Sequence, residues 1–200
     1  MQSLLDGYRR FRVGTWPERR AVFERLAAQG QRPRTMVIAC SDSRVDPAMI
    51  FDAGPGELFV LRNVAALVPP YQPDGNYHGT SAAVEFGVCS LGVTELIVMG
   101  HGLCGGVAVL LAEDAPPGDF VAPWIRLAER ARSRVLECDT PDRQLEGEYA
   151  VVRVSLENLR TFPWIAERLD DGRLRLHGVH FDVRTGVLVT LQPGGSFAPA

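Results

Sequence analysis

Two strand-like runs, each ending in a short segment dense with reactive side chains, constrain this chain more than any other feature. Met36-Val37-Ile38-Ala39 runs into Cys40-Ser41-Asp42-Ser43-Arg44, and Leu96-Ile97-Val98-Met99 runs into Gly100-His101-Gly102-Leu103-Cys104-Gly105-Gly106. Continuous apolar runs of this length suit strands buried on both faces, as in a parallel sheet covered by helices. In such sheets ligands gather beyond the carboxyl ends of strands, near a change in strand order. Both reactive segments fall at such ends.

The rest of the chain alternates strands with helices. Residues 1–30 read as a helical arm, with Leu4, Leu5, Tyr8 and Phe11 on one stretch, Val22, Phe23 and Leu26 on the next, and Trp16-Pro17 between them. The arm has few apolar residues per turn, so it is expected to dock on something rather than build its own core. Strands are predicted over 35–39, 58–62 and 95–99, and helices over 80–90 and 104–113. Ala115-Pro116-Pro117-Gly118 is a stop, and Asp119 is a candidate N-cap for the first of two further helices. In the second, Leu145, Tyr149, Val152, Leu156 and Leu159 recur at steps of four and three. Leu174, Leu176, Val179, Phe181 and Val183 then mark a strand, and Thr185-Gly186 turns the chain into an antiparallel edge strand at 187–191. The expected fold is α/β: one domain over 1–200, a mostly parallel central sheet of four strands plus an antiparallel edge strand, flanked by helices.

All 21 positions counted as Lys or Arg are arginine. Without lysine there is no pyridoxal Schiff base and no Walker-type phosphate loop, so the glycines of 100–106 are not read as a phosphate cradle. A net charge of -3 and the lack of a basic cluster argue against nucleic acid as a partner. No apolar run is long enough to span a membrane, and the first residues do not resemble an export signal, so a cytoplasmic location is expected. In that compartment the four cysteines, Cys40, Cys89, Cys104 and Cys138, point to metal binding or burial rather than disulfides. Burial is the reading for Cys89 and Cys138, and a structural role is the reading for His177 and His180.

Cys40 and Asp42 lie two apart where an extended strand ends, and His101 and Cys104 lie three apart at a strand-to-helix turn. Cys40, His101 and Cys104 make a Cys2His set suited to Zn2+, with water or Asp42 as the fourth ligand. Cys104, near a helix start, is expected to favour its thiolate. Asp42 and Arg44 are spaced for a bidentate pair, which would hold Asp42 ionised and ready to accept a hydrogen bond from metal-bound water. Two thiolates make a weaker Lewis acid than three imidazoles, so activity should rise from neutral to alkaline pH.

These residues resemble the β-class carbonic anhydrases. The likeness rests on Cys40-Ser41-Asp42-Ser43-Arg44 and His101-Gly102-Leu103-Cys104-Gly105-Gly106. It extends to Gly56-Glu57-Leu58-Phe59-Val60-Leu61-Arg62-Asn63, Gly79-Thr80-Ser81-Ala82-Ala83-Val84-Glu85, Ser155-Leu156-Glu157-Asn158-Leu159 and Leu176-His177-Gly178. The resemblance implies reversible hydration of carbon dioxide to bicarbonate and a proton by a zinc-bound hydroxide oriented by an Asp-Arg dyad. It implies one Zn2+ per subunit on Cys40, His101 and Cys104, with Asp42 turning onto the metal in a closed state known in part of the family. Gln31 matches a residue that serves the neighbouring subunit's substrate. Phe59, Val64 and Phe86 match pocket positions, Phe86 standing where a tyrosine is common, and the Gly105 amide is placed on the substrate oxygen. Val37 stands where a branch with an inhibitory bicarbonate pocket carries tryptophan, so the open type is expected here. A homodimer or tetramer is implied, with the N-terminal arm embracing the partner. Rival readings are a carbon disulfide or carbonyl sulfide hydrolase on this scaffold, a non-catalytic zinc-stabilised binding module and, lacking any Cys-x-x-Cys pair, least of all a thiol redox protein.

Overall fold

The computed structural model describes residues 1–114 and 118–200. Two helices, α1 (Gln2–Val13) and α2 (Thr15–Gln29), open the chain, and neither buries a single residue. They are followed by β1 (Thr35–Cys40), the short α3 (Pro47–Ile50) and β2 (Leu58–Asn63). Next come α4 (Gly79–Glu85), β3 (Glu95–His101), α5 (Gly105–Leu111), α6 (Val121–Ile125), α7 (Glu129–Glu137) and α8 (Arg143–Leu159). The chain ends in α9 (Pro163–Asp170), β4 (Arg175–Phe181), β5 (Leu188–Leu191) and β6 (Phe197–Pro199). Among the described residues no helix is long and apolar enough to cross a membrane.

The sheet runs β2-β1-β3-β4-β5-β6. Pairings among the first four strands are parallel, and β5 and β6 add antiparallel pairings at one end. The expected α/β architecture holds, with one addition: β5 is not the edge, because β6 pairs beyond it. β6 escapes a pattern reading because three residues give no measurable alternation.

Side chains of β1 alternate between two cores, which is what a strand with helices on both sides must do. Val37 and Ala39 join one with Val107, Leu110, Ile125, Ala131, Val135, Val151 and Val154. Met36 and Ile38 join the other with Val84, Val88, Leu96, Val98, Val152, Leu156 and Phe162. Helix α8 feeds both. Its close approach to the sheet requires Gly100, where an added Cβ would lie 2.7 Å from Val152 Cγ2.

Four local expectations need correction. The predicted helix over 80–90 gives way at Phe86 to a π turn, Phe86–Ser90. Asp119 does not cap a helix, since α6 starts at Val121 with Phe120 in the cap position and no side-chain bond there. Cys89 and Cys138 are exposed, because each sits just past or on the outer side of a helix end. Helix α9 was not anticipated, although Pro163 in its first turn, after the extended Phe162, is a recognisable start. Of the stop at 115–118, residues 115–117 lie outside the described residues.

Candidate metal centre and active site

β1 and β3 are parallel neighbours, so their carboxyl ends open onto the same edge of the sheet. Cys40 is the last residue of β1 and His101 the last of β3, and Cys104 follows on the turn into α5. All three are buried, and their ligand atoms lie within 4.8 Å of one another. Tetrahedral thiolate and imidazole ligands on zinc stand about 3.5–3.8 Å apart, which this spacing accommodates. A cavity of about 10 Å³ lies among these three, Ala65, Gly100, Glu148 and Val151.

The ring of His101 is oriented for a ligand. Its Nδ1 faces the Gly102 carbonyl at 2.9 Å, so Nδ1 donates and Nε2 keeps its lone pair. Among the described residues, Nε2 is the buried side-chain polar atom without a hydrogen-bond partner. An orphaned acceptor beside two thiols costs free energy unless something fills the gap, and a divalent cation does so. The residues present fit such an ion.

The two buried thiols act on each other. A hydrogen bond from the Cys104 thiol, opposed by burial and aided by His101 and backbone amides, pulls Cys40 below its ordinary range. The same contact, together with burial, pushes Cys104 up. The two thiols share this hydrogen bond, so the first proton is lost by the pair, and the thiol hydrogen that remains steadies the thiolate. Burial pushes His101 down, but Cys40 and the Gly102 carbonyl prevail and raise it.

Asp42 is turned away from this cluster and onto Arg44. Arg44 Nε donates to Asp42 Oδ1 at 2.9 Å and Nη2 to Oδ2 at 2.7 Å, while the Arg44 amide also donates to Oδ1 at 2.9 Å. These bonds hold the Asp42 carboxyl well below the usual carboxylate range, against the opposing effect of burial. The loop carrying the pair is fixed from β2, where Arg62 donates to the carbonyls of Cys40 at 2.9 Å and Asp42 at 2.6 Å. Arg62 also bonds Asp46, whose carboxylate caps α3. This anchoring role of Arg62 went unread in the sequence.

The candidate pocket residues separate into two groups. Val64 and Gly105 lie near the thiols: an added Cβ on Gly106 would sit 3.0 Å from Val64 Cγ1, and the Val64 carbonyl accepts from Trp124. Phe59 pairs in register with Met36, four residues before Cys40, or about 13 Å along the strand. Its ring packs against Phe86 at 5.9 Å between centroids, and Phe86 is exposed. Gln31 is exposed too. His78 pairs with Asp74 at 2.6 Å, and His177 with Glu95 at 2.7 Å.

A parallel sheet with a buried Cys-His-Cys cluster at its carboxyl edge, beside a carboxylate held by arginine, defines an α/β protein with a metal-capable centre of the catalytic type. Residues 35–188 match the family described as carbonic anhydrase. A carbonic anhydrase of Pseudomonas aeruginosa is 38% identical over 198 residues, covering 96% of this chain and 88% of that one. The structure of the β-carbonic anhydrase CcaA covers 100% of this chain and 99% of its own, with a TM-score of 0.91 and 34% identity. Tetrameric β-carbonic anhydrases of Sordaria macrospora superimpose with a TM-score of 0.83 at 27% identity, covering 98% of each chain. The chain belongs to the carbonic anhydrase family, in its β class, and is thereby a carbonate dehydratase, a lyase.

Proposed function

We propose that this chain hydrates carbon dioxide reversibly with one zinc ion held by Cys40 Sγ, His101 Nε2 and Cys104 Sγ, and with Asp42 and Arg44 as the pair that orients the attacking water. The observation that carries this reading is the lone Nε2 of His101, buried against two thiols and facing no other partner among the described residues. When bound, the ion supplies Lewis acidity that makes a water nucleophilic at accessible pH. The two thiolates temper that acidity relative to three imidazoles, so the rate climbs from neutral toward alkaline pH.

Asp42 acts as an acceptor only. With both oxygens engaged by Arg44, it takes one hydrogen bond from the water and leaves a lone pair free to face the carbon of the substrate. Arg44 keeps the carboxylate ionised and aimed, and its bidentate grip keeps Asp42 off the fourth ligand position. The open arrangement agrees with Val37, fully buried in the core, at the position three residues before Cys40. Val64 and the Gly105 amide bound the approach to the cluster.

Gln31, Phe59 and Phe86 lie too far along the fold, or too open to solvent, to close this pocket within one chain. We assign them to the neighbouring copy's substrate pocket in a homodimer or tetramer, where apolar rings would exclude water around a molecule with no net dipole. Stopped-flow hydration of carbon dioxide across pH, with metal content measured on the same sample, tests the proposal. A rate rising with pH at one zinc per chain supports it; freshly purified, chelator-free protein without stoichiometric transition metal overturns it.

A further inference from the structure

The peptide joining Leu103 to Cys104 is gripped at both ends. Its carbonyl accepts from Arg44 Nη2 at 3.1 Å, and its N–H donates to Glu148 Oε1 at 3.0 Å. Leu103 adopts φ 57°, a left-handed conformation that a branched side chain adopts at a cost. Such a conformation persists only where its surroundings impose it, and here two charged side chains do so from opposite directions.

Glu148 comes from α8 and is 3% exposed. Its Oε1 also accepts from Gln144 Nε2 at 2.7 Å, and its Oε2 meets His180 Nε2 at 2.8 Å, His180 being 2% exposed. A carboxylate that only accepts requires the His180 hydrogen on Nε2. Gln144, one helical turn before Glu148, donates in addition to the Cys104 carbonyl at 3.1 Å. Both backbone polar groups of Cys104 are thus held by side chains of one helix. β4 completes the clip, since His180 pairs in register with Gly100, one residue before His101.

We propose that Glu148, backed by Gln144 and His180, is a positioning residue that fixes the Leu103–Cys104 peptide and, through it, sets both the aim of the second thiol and the seat of Arg44. This rests on the reading of Cys40, His101 and Cys104 as metal ligands. The clip acts through the backbone and does not touch the substrate. A carboxylate set into the core of a helix would be costly without full pairing. Here all three of its neighbours donate, and two of them also contact the backbone beside the thiol or the strand beside His101.

Cobalt(II) substitution tests this, because absorption from thiolate to cobalt reports the geometry and affinity of the thiols independently of turnover. Competition with a chromophoric chelator should show cobalt bound about 10- to 100-fold more weakly in Glu148→Gln and Gln144→Ala, with a shifted thiolate band. Asn158→Ala removes another buried bond of α8, to the Val68 carbonyl at 2.8 Å. It should lower stability while leaving band and affinity as in the parent. Parental band and affinity in Gln144→Ala and Glu148→Gln overturn the proposal, as does an equal shift in Asn158→Ala. If Glu148→Gln does not fold, the half-buried Gln144→Ala decides alone. A parent chain that takes up no cobalt overturns the metal reading itself, and so separates the two failures.

Discussion

Asp42 and Cys104 are assigned different tasks at one site and should fail in opposite ways. Asp42→Asn keeps the shape of the side chain but replaces one acceptor oxygen by a donor, which reverses its bond to the water. Zinc content should stay at one per chain while carbon dioxide hydration falls about 10- to 100-fold, read by stopped flow with metal analysis on the same sample. Cys104→Ser instead removes a thiolate ligand, so metal content itself should fall below stoichiometric. The Arg44 hydrogen bonds hold Asp42 below the usual carboxylate range, so this group is already ionised throughout the neutral and alkaline range. The predicted rise in rate with pH therefore belongs to the attacking water, and Asp42→Asn should lower the profile without removing its alkaline climb. At this scale Cys40, His101 and Cys104 were legible because each stands on a short local pattern of strand, then turn. Glu148 was not, because its contact with Cys104 spans 44 positions of sequence. The one local signal was a charged residue within the apolar stripe of α8, three after Leu145 and four before Val152.

Strands and helices contribute stability through fit and charge, and both can be tested away from the thiols. An alanine at Gly100 would place its Cβ 2.7 Å from Val152 Cγ2, with the sheet behind it. Overpacking of this kind costs about 1–3 kcal/mol, so the urea midpoint of Gly100→Ala should drop, and Val152→Ala added to it should recover part of the loss. At the opposite end of β3, Glu95 is bonded by Arg175 and by His177 of β4. Burial pushes its carboxyl up, but those two bonds prevail and hold it low. Folded Glu95 thus takes a proton only at lower pH than the unfolded chain does. Its stabilisation is full above the unfolded carboxyl value of about 4.3 and is lost as pH falls through the folded value. Glu95→Gln should therefore destabilise the chain at pH 7, and the gap from the parent should close in acid unfolding below about pH 4. Strands β1 and β3 were legible from their largely buried apolar runs, β2 from a short apolar run, and β4 from the alternation through Leu174, Leu176, Val179 and Phe181. The π turn at Phe86, the broken stretch across α6 and α7, and β6 were not, since each departs from a regular period or is too short to show one.

The helical arm is where the single chain is least self-sufficient. Helices α1 and α2 bury no residue, and Leu4, Leu5, Tyr8 and Val13 are all exposed. Isolated helices of 12 and 15 residues are marginal in water, and most helical stability comes from packing an apolar face. The intramolecular contacts of the arm include a cluster of Phe11, Trp16 and Phe23, with centroids 5.0–6.4 Å apart, which joins the two helices but leaves α1's outer face open. Phe86, Val60, Val64 and Leu103 are likewise exposed on the main body. A second copy that covers these surfaces would also bring Gln31, Phe59 and Phe86 toward a site they cannot complete in their own chain. Sedimentation should accordingly find a dimer or tetramer and no active monomer. Deleting residues 1–29 should shift the distribution to smaller species and lower hydration more than it lowers zinc content, because the ligands belong to one chain while the substrate pocket is assigned to two. A fully active monomer, or a truncated chain with parental assembly and rate, would place the whole pocket within one chain and return Gln31 to ordinary surface.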